Sequence, residues 1–179
     1  MCDVCAVQAS LVAVIVLGLG AAGCATATDG AGDCRAGTPR SVFREDLPGV
    51  TRHSFERHGQ RSSEAVQFAT REALFLQQEG CDTLRQTLEL PVPDTVDTWP
   101  KFKALASRRF DRYTEIDESL LAFAGYARAL RAVPDDYPVA QPAPMAPGLT
   151  MRVYEVPNAD FRTWQIVLEQ DLSSGAPVQ

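Results

Sequence analysis

From Thr98 to Val133 the apolar residues recur every three or four positions. Trp99, Phe102, Ala106, Phe110, Tyr113, Ile116, Leu120, Phe123, Ala127 and Leu130 form the series. That spacing predicts one long helix, or two with a bend near Thr114. Thr98 or Asp97 is placed to cap it, and Pro100 is tolerated in a first turn. Unbroken, the stretch would run ~52 Å at ~1.5 Å per residue, long for a small domain. Between Leu120 and Leu130 the apolar surface wraps nearly all round, which predicts a central position. Pro134 stops the pattern.

Elsewhere the period falls to two. Leu84, Leu88 and Leu90 share one face of a predicted strand, with Thr87 and Glu89 on the other. Met151–Val156 and Phe161–Leu172 alternate like a hairpin about Pro157-Asn158-Ala159-Asp160, with Trp164, Ile166 and Leu168 on one face. Ser62–Gly80 reads two ways. Its composition favours a helix with Ala65, Phe68, Ala69, Ala73 and Leu76 on one face, yet a strand leading to a turn at Glu79-Gly80 fits as well. Asp46–Val50, "DLPGV", is a turn signal that short strands can flank. Residues 134–148 carry five prolines and read as an extended connection, a surface loop or a Pro-rich recognition segment. The fold class expected is α+β: one long, possibly bent helix packed on a small antiparallel sheet.

The N-terminal segment has a different character. Val4–Thr28 carries no charge, and its apolar core, Leu11–Leu19, has signal-peptide length but is too short for a bilayer. Small residues follow, then a cysteine. Ala21-Ala22-Gly23-Cys24 resembles the lipobox of bacterial lipoproteins. The resemblance covers about the first 25 residues. It implies a diacylglyceryl thioether on Cys24, cleavage before it, and a mature chain from Cys24 to Gln179. It also implies export to the outer membrane, facing the periplasm, because Ala25 stands where an Asp would favour inner-membrane retention. The alternative is an uncleaved anchor through Val4–Ala22. The organisation expected is a signal at 1–23, a lipidated flexible tether at 24–40, one globular domain at 41–172 and a tail at 173–179.

Five cysteines bear on the compartment. Cys2 and Cys5 leave with a signal peptide and Cys24 takes the lipid, so Cys34 and Cys81 remain as an even pair. In an oxidising compartment that predicts one disulfide, worth roughly 4 kcal/mol on the chain-entropy model. Two unpaired thiols are the alternative.

Charge and chemistry add little. A net charge of −6 argues against a nucleic-acid partner. His53 and His58 miss the zinc-helix spacing, and no H-E-x-x-H, G-x-S-x-G, phosphate loop or calcium loop occurs. Ser41 and Ser54 lie near His53 in sequence without a triad motif. The pattern assigns no catalytic, cofactor or metal residue. Lys101, Lys103, Arg108, Arg109 and Arg112 make a basic stretch, either a solvated helix face or a contact for anionic lipid or an acidic partner. The expectation is a lipid-anchored, non-catalytic binding or assembly module with an envelope partner. The alternatives are a periplasmic hydrolase assembled from residues such as His53, His58 and Asp46, or an inhibitor of a secreted enzyme presenting 134–148.

Overall fold

The computed structural model describes residues 34–157 and 161–172. The signal, Cys24, the tether as far as residue 33 and the tail at 173–179 lie outside the described residues.

Seven strands form one antiparallel sheet: β1 Val50–His58, β2 Arg61–Phe68, β3 Ala73–Glu79, β4 Thr83–Val92, β5 Ala143–Ala146, β6 Leu149–Val156 and β7 Arg162–Asp171. Their order across the sheet is β1-β2-β3-β4-β7-β6-β5. Two helices, α1 Trp99–Ile116 and α2 Ala122–Ala132, intervene between β4 and β5 in the chain. The α+β class is as expected, but the sheet is larger and the helix is divided. Asp117 is extended (φ −159°, ψ 143°), and its carboxylate accepts the Ser119 N–H at 2.8 Å to start a short 3-10 turn, Glu118–Leu120. A carboxylate that caps the following turn has left the helical conformation itself. The break therefore falls three residues beyond Thr114.

Residues 62–79 are strands, not helix. Ser62, Glu64, Val66 and Phe68 alternate inward on β2, and Leu74, Leu76 and Gln78 do so on β3. Phe68 and Leu76, which helical spacing grouped with Ala65 and Ala73, face the core, whereas Ala65 pairs with Phe75 on the open face. The register carries an apolar row from Leu76 through Leu88 and Ile166 to Val153, which ends on β2 at Glu64, and sets Val66 beside Leu74 in the adjoining row. The β6–β7 hairpin and the face shared by Trp164, Ile166 and Leu168 are as the alternation predicts.

The core holds two aromatic clusters. Towards β2, Phe68 stacks on Tyr113 at 5.0 Å between centroids, with Phe43 5.8 Å from Tyr113 and 5.6 Å from Phe123. Towards β7, Phe102 stacks on Trp164 at 4.7 Å, and Trp99 meets Tyr137 at 5.6 Å. Both indoles find acceptors, Pro134 O for Trp99 Nε1 at 2.8 Å and Val96 O for Trp164 Nε1 at 3.3 Å. Each Trp brings large apolar area inward while its polar N–H still reaches a partner.

The Cys34–Cys81 disulfide is formed. It ties the segment leading into β1 to the β3–β4 turn, where Ala36 N donates to Cys81 O at 2.9 Å. The chain is therefore covalently attached to the sheet at residue 34. Gly80 makes the turn possible. It sits at φ 121°, and a Cβ there would fall 1.8 Å from Thr83 O. Only a residue without a side chain fits.

Residues 134–148 are not a plain loop. Ala143 is buried, and β5 pairs with β6 as the last strand of the sheet. Pro134 and Tyr137 are held against Trp99.

Candidate functional site

The most concentrated polar group lies where the segment before β1 crosses the sheet. Glu64 stands on the inward face of β2 and is 4% exposed. A buried carboxylate is costly unless hydrogen bonds satisfy it. Here the chain supplies four donors. Phe43 N donates to Oε1 at 2.8 Å, Val42 N to Oε2 at 2.9 Å, and Ser41 Oγ to Oε1 at 2.7 Å. His53 Nε2 reaches the same Oε1 at 2.9 Å. His53 is on β1, diagonal to Glu64, and its side chain is nearly buried.

Serine, histidine and glutamate have thus met, and the geometry tells what they do. A hydrolytic triad needs the hydroxyl on one imidazole nitrogen and the acid on the other. In this cluster Ser41 Oγ and Glu64 Oε1 both approach Nε2, at 3.2 and 2.9 Å. With the Nε2 proton given to the carboxylate, that nitrogen has no lone pair for the serine. The group is a clasp. It fixes residues 41–43 on the sheet and delivers Phe43, fully buried, into the β2-side aromatic cluster. His58 is on the other face of β1, since an odd separation along a strand reverses direction. The two histidines do not share a site.

The basic stretch of α1 is dispersed among partners. Lys101 pairs with Asp97 at 2.7 Å. Lys103 donates to Val133 O at 2.9 Å, at the end of α2, and pairs with Asp135. Arg109 is 6% exposed. It donates to Pro91 O at 2.9 Å and faces Glu72 at 3.4 Å. Arg112 joins the same Glu72 carboxylate. Arg108 is exposed, and no ion pair engages it among the described residues. Glu72 lies in the β2–β3 turn, so Arg109 and Arg112 fasten α1 to that turn. The Lys101 ammonium holds the exposed Asp97 carboxyl below its usual range.

Two phenols sit in the helix layer. Tyr126 donates to Gln86 Oε1 at 2.7 Å, and burial pushes it up to about 12. Tyr113 is fully buried, its hydroxyl has no hydrogen-bond partner among the described residues, and burial raises it further.

A shallow apolar groove of about 300 Å³ lies between the end of α2 and β5, lined by Ala129, Val133, Tyr137, Ala143 and Met145 among others. A second depression, about 360 Å³, opens beside β5 and the start of β6. Among the described residues, no three histidine, cysteine or acidic side chains gather as a metal site requires, and no helix is long and apolar enough to cross a membrane.

Glu64 is the residue that sequence reasoning missed. The signal was present in the alternation Ser62-Glu64-Val66-Phe68, which places it inward once the segment is taken as a strand. No family model matches this chain, and neither does any curated protein or solved structure.

Proposed function

We propose that the chain is a lipid-anchored protein of the bacterial cell envelope whose folded domain is a non-catalytic binding or assembly module, carried at the periplasmic face of the outer membrane. The observation that carries this reading is the Cys34–Cys81 bridge beside the lipobox-like Ala21-Ala22-Gly23-Cys24. A disulfide belongs to an oxidising compartment, which is where a lipoprotein signal delivers its chain. The bridge also fastens the chain to the sheet only ten residues beyond Cys24. At full extension those ten steps reach roughly 35 Å, which is the farthest an anchor on Cys24 could stand from the bridge. Two or three acyl chains bind a membrane far more firmly than one, at ~0.8 kcal/mol per buried methylene.

The non-catalytic part is supported by the clasp. The serine, histidine and carboxylate that meet in this domain are engaged in holding the segment before β1. Metabolic labelling with an alkyne fatty acid tests the anchor. Label is expected on the full chain and absent from Cys24→Ala. Equal labelling of both would refute lipidation at this residue.

A further inference from the structure

The two edges of the sheet are finished differently. β5 is four residues long, contains Pro144, and is flanked by Pro142 and Pro147. Prolines cannot donate to a further strand, and short edges resist pairing. β1 is nine residues long, Val50–His58, and has no proline. Its neighbour on one side is β2. Val50 N, at its start, donates to Leu47 O at 3.1 Å in the preceding turn; beyond Val50 no backbone hydrogen bond from the described residues reaches the other side. A two-residue turn at Gly59-Gln60 closes the β1–β2 hairpin. Such a turn closes on a hydrogen-bonded pair, so His58, Glu56 and Ser54 bond β2 while Arg57, Phe55 and His53 direct their N–H and C=O outward.

The side chains of this edge show what it accepts. Elsewhere on the open face, opposite charges meet across neighbouring strands: Arg61 with Glu79 at 3.4 Å, Arg85 with Glu79 at 3.7 Å, Arg152 with Glu169 at 3.2 Å. On β1, Arg52 and Glu56 are both exposed, and no ion pair engages either among the described residues. They lie four residues apart on one strand, about 13 Å, too far to reach each other. An antiparallel strand of the same sequence, centred on Ser54, sets Arg52 of each copy opposite Glu56 of the other. The same register sets His53 opposite Phe55, two rings on the helix-covered face, where aromatic cross-strand pairs are favourable. It also pairs outward-directed residues with outward-directed residues, as backbone bonding requires. Shifting the register by two residues sets Arg52 opposite Ser54 or His58, and the charge match is lost.

We propose that β1 is a self-association edge, and that its partner is β1 of a second copy of this chain, joined antiparallel about a two-fold axis at Ser54. This extends the assembly reading by naming the partner, and it does not depend on the lipid anchor.

A cysteine on the axis tests it in the full-length chain. Directly opposed residues of a non-hydrogen-bonded pair have Cα atoms about 4.5 Å apart, within disulfide range. Under mild oxidation Ser54→Cys is expected to give a reducible dimer of twice the chain mass, absent from the unsubstituted chain. Ser63→Cys, exposed on the same face of β2 but one strand inward, is expected to give none. Adding Arg52→Glu to Ser54→Cys is expected to cut the yield at least tenfold, and adding Glu56→Arg as well to restore it. No dimer from Ser54→Cys, equal yield from Ser63→Cys, or no restoration by the double reversal overturns the proposal. So does a cross-linked species of any other mass. Loss of fatty-acid labelling together with an intact dimer would remove the anchor and leave this inference standing.

Discussion

The β1 side and the β5 side of the sheet bury comparable aromatic clusters but are held by different means. At β5, the prolines and Tyr137 against Trp99 close the structure with apolar contact and a short strand. At β1, the closure is a polar clasp on Glu64, the segment that supplies it is tied through Cys34 to the β3–β4 turn, and the strand edge beyond stays open. Apolar closure tolerates loss by degrees. A buried polar closure does not, because removing one partner strands the others. The comparison teaches that the β1 side depends on a few specific groups, and that its order depends on the segment that precedes it.

That contrast is open to attack. The largest effect is expected from Cys34→Ser with Cys81→Ser. Opening a bridge between residues 47 apart is expected to lower stability by about 4 kcal/mol in urea unfolding. Amide exchange is expected to quicken in β1 and β2 before it does in β6. Uniform quickening would mean that the bridge does not act through the β1 side.

Glu64→Ala comes next. It leaves the half-buried Val42 N–H, the buried Phe43 N–H and His53 without their acceptor, while Ser41 Oγ keeps Phe43 O at 2.5 Å, and a loss of about 3 kcal/mol is expected. Phe43 is expected to leave the aromatic cluster, which near-ultraviolet dichroism would register. Recovery of most of the loss by Glu64→Gln, which keeps acceptor capacity on one atom, would point to the N–H contacts as the main part.

Alkaline pH gives a smaller effect that reaches both sides together, because Tyr126 hangs from α2 over the central strand β4. Its folded value is about 12, above the ~10 of an unfolded tyrosine. The unfolded chain therefore sheds this proton first. Stability is expected to hold below pH 10 and then to fall by about 1.4 kcal/mol per unit from this group as pH rises towards 12. In Tyr126→Phe this contribution to the decline is expected to vanish. Protection lost at β1 alone over that range would contradict a common dependence.

The smallest effect is expected at the other edge. Pro144→Thr restores an edge donor at an exposed position of β5 and is expected to change stability by about 0.5 kcal/mol or less. A loss as large as that of Glu64→Ala would erase the distinction between the two sides.

What could be read in advance follows the same division. The β6–β7 hairpin and β4 were legible because most of their inward residues are apolar, as with Trp164, Ile166 and Leu168, and Leu84, Leu88 and Leu90. β2 and β3 were ambiguous because Ser62, Glu64 and Gln78 face inward among Val66, Phe68, Leu74 and Leu76. Polar residues at buried positions erase the two-residue alternation, and Ala, Glu and Gln also suit a helix. The clasp was illegible for a related reason. Its donors come from Ser41, Val42, Phe43 and His53, and only the sheet register gathers them about Glu64. Likewise the helical spacing of Arg109 carried no sign of Pro91 O or Glu72, which tertiary packing brings to it. The helix break at Asp117 was local, but a single acidic residue within a helical pattern has more than one reading. A lipobox is different in kind. It is read as extended chain, so its meaning is linear.

Intact mass of the N-terminal peptide from a membrane fraction, beside the Cys24→Ala chain, is the decisive measurement. A peptide beginning at Cys24 and carrying added acyl mass is expected, with no such species from the variant. A peptide still containing Leu11–Leu19, without acyl mass, would contradict that expectation.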